Sequence, residues 1–287
     1  MISVKRSLLF IPGNNPSMIQ NAIVFESDAV IFDLEDAVSN EEKDSARIIV
    51  SEFINYSFGF NKEIIVRINP ADTPYYLDDL KLIVSEKLDT IMLPKATEKT
   101  VRDLALKLDE IEEEKKITKR IKIIPIIESA KSVLQIERIA PLPRVSGMLL
   151  GAEDLSLDMG IIRTKKGDEI NYVRSKLAIA CKAYDIDAID TPFTDVNDDD
   201  GLEEDTKRAK LLGLNAKSCI HPRQASIINS VFSPSSFDIE YAKKVLLGYE
   251  EAQKVGLGVF SLEGKMIDKP IIERAMRVIA KAKRFGL

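Results

Sequence analysis

The chain has 287 residues, of which 45% are hydrophobic and 30% are charged, and its formal net charge is −5 at pH 7. These totals are those of a globular protein that is long enough to bury a core without disulfides. The negative charge argues against nucleic acid as a partner, because phosphate binding requires a basic surface. A local arginine can nevertheless bind a small carboxylate.

The cysteines and the apolar runs indicate the cellular compartment. Cys181 and Cys219 lie in apolar segments, and the chain has no CxxC pair, so we expect reduced and buried thiols. No apolar run approaches the length of a membrane span. We therefore expect a cytoplasmic protein that does not contact membranes.

Eight short apolar runs, rich in Ile, Leu and Val, alternate along the chain with longer amphipathic stretches. Such runs are typical of strands in a parallel sheet whose two faces are both buried. The predicted strands are residues 8–11, 29–32, 64–68, 90–93, 123–127, 147–150, 187–190 and 216–220.

The stretches between these runs predict helices. Residues 16–25 begin with a proline at a first-turn position, and Ser39 and Glu42 have the spacing of a capping box. Further helices are predicted over residues 129–139 and 168–184. Eight strand–helix units predict an α/β fold of the (β/α)8 TIM barrel type. The alternative is an open doubly wound sheet, which is disfavoured because no GxGxxG pattern follows the first predicted strand.

The segment after the eighth strand, which ends near Ile220, is too long to be only the last helix of a barrel. It predicts helices over residues 238–253 and 269–285. We divide the chain into a barrel, residues 1–232, and a C-terminal helical arm, residues 233–287, within one domain overall. We expect the arm to pack on a neighbouring subunit or to cover the site.

Polar residues that follow the predicted strands are the candidates for function, because active sites of such barrels lie at the C-terminal ends of the strands. Carboxylates predominate among them, and the chain has a single histidine. Zinc and iron sites with two histidines are therefore excluded, whereas carboxylate oxygens suit Mg²⁺. The candidates are Asn14, Asn15, Asp33, Glu35, Asp36, Arg67, Asn69, Lys95, Glu128, Glu153, Asp154, Asp190, Thr191 and His221.

Glu128 and Asp154 follow the fifth and sixth strands, which are neighbours in a barrel. Two carboxylates in such positions can share one divalent ion. Alternatively, they cap helix N-termini, and the spacing alone leaves both interpretations open. We interpret Glu153 as a structural residue.

Three further residues have two interpretations each. Arg67 either neutralises a neighbouring carboxylate or clamps a substrate carboxylate. Lys95 is either a Schiff-base nucleophile or, as we favour, a member of an ion pair at the barrel rim. His221 is either a base or, as we favour, a hydrogen-bonded structural residue. Residues 195–201 imitate a calcium loop, but their glycine comes one place late, and we interpret them as an acidic helix N-terminus.

Eight segments at successive strand ends and in the arm together resemble the citrate lyase beta-subunit family, which consists of citryl-thioester lyases of the wider acyl-CoA lyase and aldolase superfamily. The segments are 6–13 (RSLLFIPG), 32–38 (FDLEDAV), 66–69 (VRIN), 127–129 (IES), 150–154 (LGAED), 188–195 (AIDTPFTD), 221–224 (HPRQ) and 258–268 (GVFSLEGKMID).

The resemblance implies a (β/α)8 barrel, usually trimeric, with Mg²⁺ held by Glu128 and Asp154. It further implies that Arg67 binds the carboxylate or carbonyl of the substrate, and we place Glu128 beside it in contact with the substrate. The Asp that matches Asp268, on the arm, enters the site of the adjacent subunit in relatives.

The activity that the resemblance implies is magnesium-dependent cleavage of citryl-thioester, on an acyl-carrier protein or on CoA, to oxaloacetate and acetyl-thioester by a retro-Claisen step. We assign the exchange of the proton to Asp268, and we expect Glu35 and Asp36 to orient metal-bound water. Cleavage of malyl- or citramalyl-CoA is the alternative. The implied partners are the acyl-carrier and transferase subunits of citrate lyase and, in a homotrimer, two further copies of the chain.

Overall fold

The computed structural model of the chain describes residues 5–56, 59–254 and 256–287. Eight parallel strands form a closed barrel in chain order, and the first strand pairs with the eighth. The predicted (β/α)8 TIM barrel is confirmed, and no predicted strand end is displaced by more than one residue. The strands are β1 (Ser7–Pro12), β2 (Ala29–Asp33), β3 (Glu63–Arg67), β4 (Thr90–Leu93), β5 (Lys122–Ile127), β6 (Gly147–Leu150), β7 (Asp187–Asp190) and β8 (Ala216–Cys219).

At least one helix follows each strand of the barrel, and two follow β6. Short 3-10 turns, Asn40–Glu42 and Asp168–Ile170, precede the second and seventh helices. The helices of this part are α1 (Pro16–Asn21), α2 (Lys43–Tyr56), α3 (Tyr76–Ile83), α4 (Glu98–Glu114), α5 (Ala130–Ile139), α6 (Ala152–Met159), α7 (Asn171–Ala183), α8 (Asp199–Leu211) and α9 (Pro222–Phe232).

Alternate residues of the strands point into the barrel and form one apolar cluster. Ile31 of β2, Ile65 of β3, Ile126 of β5 and Leu149 of β6 belong to it, and none is more than 2% exposed. Because side chains alternate along a strand, the residue two places further on points in the same direction at the C-terminal end. The residues aimed at this mouth of the barrel are Asp33, Arg67, Glu128 and Gly151.

One helix end and one helix start differ from the prediction. Helix α1 ends at Asn21, before the predicted end. The predicted capping box at Ser39 is wrong, since the side chain of Ser39 makes no capping hydrogen bond. The Glu42 carboxylate instead accepts a hydrogen bond of 2.6 Å from Asn14 Nδ2 in the loop after β1. The Glu42 side chain, which the capping box requires, is thus engaged in a contact with a distant segment.

Residues 230–287 form a compact unit of their own. In it, α10 (Ser236–Lys254) packs against α11 (Lys269–Arg284). Strands β9 (Phe260–Leu262) and β10 (Lys265–Ile267) form an antiparallel hairpin that the sequence analysis did not predict. Glu263 and Gly264 join the strands with φ of 51° and 77°, as a type I′ turn requires.

The division between the two compact units, Lys5–Asn229 and Ser230–Leu287, falls within α9, close to the predicted boundary after residue 232. The packing of the arm on a neighbouring subunit, or over the site, stays a prediction. None of the described helices combines the length and hydrophobicity that a bilayer crossing demands. Cys181 and Cys219 are buried free thiols, as predicted.

Candidate active site

Arg67, the last residue of β3, lies among carboxylates at the mouth of the barrel. Its Nε and Nη2 donate to the two oxygens of Asp33, both at 2.6 Å. Its Nη1 lies 3.0 Å from Glu35 Oε2 and 3.2 Å from Asp36 Oδ2. The guanidinium carbon lies 5.1 Å from the centroid of the Phe10 ring. The bidentate pair fixes the plane of the guanidinium and directs Nη1 toward the two other carboxylates.

Asp33 holds both the arginine and the loop that follows β2. Asp33 and Arg67 are partners in the register of β2 and β3. The Asp33 carboxylate also accepts hydrogen bonds from the amides of Glu35, at 2.9 Å, and Ala37, at 3.0 Å. The sequence identified Asp33 as a polar residue at a strand end, and the structure makes it the anchor of Arg67.

Glu35 is buried beside this pair, with 6% of its surface exposed. Burial raises the pKa of Glu35 to about 8, against the effect of Arg67 and with the support of Asp36, Glu128 and Asp33. Burial also acts to lower the pKa of Arg67, but Asp33, Glu35 and Asp36 outweigh it, so the pKa lies above its ordinary value. Arg67 is therefore a permanent cation, whereas Glu35 exchanges its proton near neutral pH.

Glu128 follows β5, and Asp154 lies in the first turn of α6, directly after the neighbouring strand β6. Glu128 is 6% exposed and accepts a hydrogen bond from the amide of Lys95. Burial raises the pKa of Glu128 to about 7, the Lys95 amide opposes this rise, and the charge of Asp154 reinforces it. Asp154 is thus close enough for its charge to act on Glu128.

Gly151, between β6 and α6, makes room for the Glu128 side chain. A Cβ at this position would lie 2.7 Å from Glu128 Cβ, 2.7 Å from Glu128 Oε2 and 2.9 Å from Ile126 Cγ2. Since φ of Gly151 is −93°, close approach explains the glycine, and a left-handed backbone does not. The sequence analysis quoted this residue within a motif but assigned it no role.

The cluster at the mouth has an excess of negative charge that either a proton or a bound cation relieves. Two cations, Arg67 and the buried Lys43, interact with its carboxylates. Among the described residues, no three or more His, Cys, Asp or Glu side chains converge as a metal site. Mg²⁺ commonly takes one or two protein carboxylates and completes its shell with water and substrate. Glu128 and Asp154 fit an ion of that kind. The carboxylates of the cluster are Asp33, Glu35, Asp36, Glu128 and Asp154.

The side chain of Lys95 is exposed to solvent, whereas the ring of His221 is hydrogen-bonded to the backbone. Lys95 has a φ of 48°, its side chain is exposed, and its ammonium makes no ion pair with a described residue. The predicted ion pair at the rim is therefore wrong, because the left-handed turn brings the amide to Glu128 and leaves the side chain in solvent. His221 Nδ1 accepts a hydrogen bond of 3.3 Å from the amide of Arg223, in agreement with a structural role.

Other strand-end candidates serve the scaffold. Asp190 alternates with the interior residue Ile189 and so points outward from the barrel. Asn69 donates from its amide and its Nδ2 to Asp79 Oδ2, at 2.8 and 2.7 Å. Asn15 caps α1 by accepting from the amide of Met18 at 3.1 Å.

Two predictions concern acidic residues at helix N-termini. Asp198 caps α8 and accepts from the amide of Gly201 at 2.9 Å, which confirms that residues 195–201 form a helix start. In the arm, Asp268 caps α11 and accepts from the amide of Ile271 at 3.4 Å. Its assignment to catalysis stays a prediction.

Comparison with known proteins gives the family. The HpcH/HpaI aldolase/citrate lyase family model matches residues 6–222, which is most of the chain and includes all eight barrel strands. The chain belongs to this family. Among HpcH/HpaI aldolase/citrate lyase relatives, the citrate lyase subunit beta of Leuconostoc mesenteroides is 39% identical over 97% of this chain and 93% of its own length. A (3S)-malyl-CoA thioesterase of Cereibacter sphaeroides is 31% identical over 96% of this chain and 94% of its own length.

Two of the solved structures that are similar to this family member come from Mycobacterium tuberculosis. The protein CitE in complex with magnesium, acetoacetate and coenzyme A has a TM-score of 0.79 and 28% identity, and the match covers 96% of this chain and 97% of that one. A citrate lyase beta subunit complexed with oxaloacetate and magnesium has a TM-score of 0.69 and 29% identity, with coverage of 80% and 97%.

Proposed function

We propose that the chain is a magnesium-dependent carbon–carbon lyase that cleaves citryl-thioester, on CoA or on an acyl-carrier protein, to oxaloacetate and acetyl-thioester. The observation that carries this proposal is the charge-unbalanced cluster at the barrel mouth, where the charges of Asp154 and Arg67 both act on the buried Glu128. The relatives named citrate lyase subunit beta, and the similar structure that holds oxaloacetate and magnesium, support it.

The residues of the cluster divide the work. Glu128 and Asp154 would hold Mg²⁺, which would supply Lewis-acid polarisation of the substrate hydroxyl and so lower its pKa. Arg67 Nη1 binds a substrate carboxylate or stabilises the negative charge that develops on the thioester oxygen. Glu35 and Asp36 orient water at the site, and the pKa of Glu35, about 8, supports a place for it in proton exchange near neutral pH.

The bond changes define what the site must accommodate. The tertiary hydroxyl loses its proton, its carbon becomes the keto carbon of oxaloacetate, and the adjacent carbon–carbon bond breaks. The electron pair passes to the acetyl-thioester as an enolate, which then takes up a proton at carbon. We assign this proton exchange to Asp268, supplied by the arm of an adjacent subunit in a homotrimer.

A second candidate function is carbon–carbon cleavage of malyl- or citramalyl-CoA; the 31% identity to a protein named (3S)-malyl-CoA thioesterase favours a malyl thioester as the ligand. Both reactions use a hydroxyl beside a scissile carbon–carbon bond, so the same cluster serves either. The acyl group then depends on how the site receives the further carboxylate of citrate.

The test is to incubate the purified chain with Mg²⁺ and citryl-, malyl- or citramalyl-CoA and to identify the keto acid. We expect oxaloacetate from citryl-CoA. Glyoxylate from malyl-CoA or pyruvate from citramalyl-CoA, without oxaloacetate, would select the second candidate. EDTA should abolish the reaction and borohydride should leave it intact, whereas a Schiff-base aldolase acting through Lys95 would show the reverse pattern.

The partners are a separate test. We propose that the chain assembles with acyl-carrier and transferase subunits of a citrate lyase, as the word subunit in the name of its relatives suggests. Cleavage of citryl-CoA by the chain alone would make that assembly dispensable for the lyase step. If Asp154→Ala keeps its fold but loses all cleavage, a purely structural subunit is excluded.

A further inference from the structure

Lys43, the first residue of α2, is a buried lysine behind the loop that follows β2. It is 6% exposed, and its Nζ donates to the carbonyl oxygens of Leu34, at 2.7 Å, and Glu35, at 2.6 Å. The same nitrogen lies 5.9 Å from the centroid of the Tyr75 ring. The described carboxylates around it act on it only through their charge, without a direct ion pair, so both of these hydrogen bonds of the ammonium go to the backbone.

These two carbonyls belong to the loop that carries Glu35 and Asp36. The opposite side of the loop is held by Asp33, which accepts hydrogen bonds from the amides of Glu35 and Ala37. The loop is therefore fixed by an anion on its amides and by a cation on its carbonyls. Two such anchors determine the direction in which the Glu35 and Asp36 side chains leave the backbone.

Stability alone does not explain a charge at this position. Burial lowers the pKa of Lys43, although Asp33 and Glu35 act in the opposite direction. A buried ammonium without a directly paired carboxylate is a poor stabiliser relative to an apolar side chain of similar volume. Burying the Lys43 ammonium therefore costs desolvation free energy, and in return it makes two hydrogen bonds to a single loop.

We propose that Lys43 is a positioning residue for the lyase reaction: through the carbonyls of Leu34 and Glu35 it aims Glu35 and Asp36 at Arg67. This inference rests on the function proposed above for the reaction itself. The placement of the loop is a separate matter that can be measured without substrate.

Two other lysines share this pattern of hydrogen bonds to two carbonyls, with side chains that are more exposed than that of Lys43. Lys62 Nζ donates to the carbonyls of Ala22, at 2.9 Å, and Phe25. Lys115 Nζ donates to those of Lys81, at 2.5 Å, and Val84, at 2.8 Å. Burial lowers the pKa of both lysines, as it does for Lys43. Neither of these loops carries a residue of the acidic cluster.

The first experiment compares Lys43→Met with Lys62→Met in the full chain. We expect Lys43→Met to lower kcat about 10- to 100-fold, the usual effect of removing a residue that supports a metal site, with KM for the thioester changed less than about threefold. Lys62→Met should change neither constant beyond that range, and Lys43→Arg should recover most of the lost kcat. Equal effects of the two methionine variants would reduce Lys43 to an ordinary loop anchor and overturn the inference.

The second experiment is a double-mutant cycle with Glu35→Gln. If Lys43 acts through the loop, Lys43→Met should lower kcat far less in the Glu35→Gln background than in the wild type. Purely additive losses would contradict the inference. Should Lys43→Met fail to fold, Lys43→Gln enters the same cycle, and a loss of kcat that is purely additive with that of Glu35→Gln would again contradict the inference.

A third measurement separates the inference from the proposed function. Hydrogen exchange at the amides of Glu35 and Ala37 should be at least tenfold faster in Lys43→Met than in Lys62→Met, without any substrate. Unchanged exchange would overturn the positioning role even in an active lyase. Faster exchange in a chain that cleaves no thioester would leave the loop anchor standing and reject the reaction.

Discussion

Two of the charged clusters in the barrel differ in their balance of positive and negative charge. In the wall, Arg174 donates to Asp190 at 2.8 Å twice and to Asp205 at 2.8 Å. Lys217 donates to the same two carboxylates, each at 2.6 Å. Two cations meet two anions, and none of the four is more than 4% exposed. At the mouth, by contrast, carboxylates outnumber the cations.

The pKa values report this difference. In the wall, burial acts to raise the pKa of Asp205, but Lys217 and Arg174 outweigh it and the pKa lies below its ordinary value. At the mouth, burial raises the pKa of Glu35 to about 8 and that of Glu128 to about 7. A balanced cluster keeps its charges and holds the scaffold together. An unbalanced one is left to exchange protons or to bind a cation, which is typical of functional sites.

Breaking the wall cluster should give the largest effect on stability. Asp190→Asn leaves Arg174 and Lys217 with too little negative charge, and breaking a buried ion pair in this way costs about 3–5 kcal/mol of unfolding free energy. Urea denaturation measures it. Asp195, whose side chain is 40% exposed and pairs with Lys165 at 2.7 Å, provides the control, and Asp195→Asn should leave the midpoint within error. Similar midpoints for the two variants would contradict the structural role of the wall cluster.

Breaking the mouth cluster should affect activity instead. Arg67→Met removes the charge that faces the substrate and should lower kcat/KM by about 10²–10³-fold, or about 2.7–4 kcal/mol. Steady-state kinetics with the active thioester measures it. Arg102→Met serves as the control, because Arg102 lies on the surface of α4, where its ion pair is with Glu98 at 3.0 Å. An active Arg67→Met enzyme would remove Arg67 from the mechanism.

The pH dependence of stability sharpens the comparison. The folded pKa values of Glu35 and Glu128, about 8 and about 7, lie above the ordinary value of 4.5. Between these limits the folded chain holds protons that the unfolded chain has released. The metal-free protein should therefore lose stability as pH rises from about 5 to about 8, with a slope of up to about 1.4 kcal/mol per pH unit for each proton.

Urea midpoints at three pH values in EDTA test this slope. Glu35→Gln should flatten it, because a glutamine does not titrate, whereas Asp195→Asn should not. If the stability of the wild type instead rises between about pH 5 and about pH 8, the raised pKa values of Glu35 and Glu128, and with them the excess of negative charge at the mouth, are contradicted.

The smallest expected effect concerns the space beside Glu128. Gly151→Ala puts a Cβ where Glu128 already lies, and overpacking of this kind costs about 1–3 kcal/mol. We expect weaker Mg²⁺ binding, measured by calorimetry. Gly258→Ala is the matched control, since a Cβ there meets nothing within 4 Å. Equal Mg²⁺ affinities of the two variants would show that Glu128 tolerates displacement or does not bind the ion.

The sequence by itself determined the barrel and the order of its strands. Each strand is recognisable as a short apolar run, and strands that are consecutive in sequence become neighbours in the sheet. That order alone placed Glu128 beside Asp154, and Arg67 beside the residues after β2. The hairpin at Glu263 and Gly264 was also within reach of local rules, since two strands joined by a two-residue turn with glycine have a recognisable pattern.

Only the tertiary structure decided which residues support the site. Strands buried on both faces show no alternation of polar and apolar residues. Nothing in residues 187–190 therefore indicates that the Asp190 side chain points outward, toward the ion-pair cluster with Arg174 and Lys217. Lys43 begins a helix in sequence, and its use on the carbonyls of a loop depends on how α2 packs against that loop. Gly151 is explained by a side chain more than twenty positions away. Contacts of this kind join distant segments, and local periodicity carries no record of them.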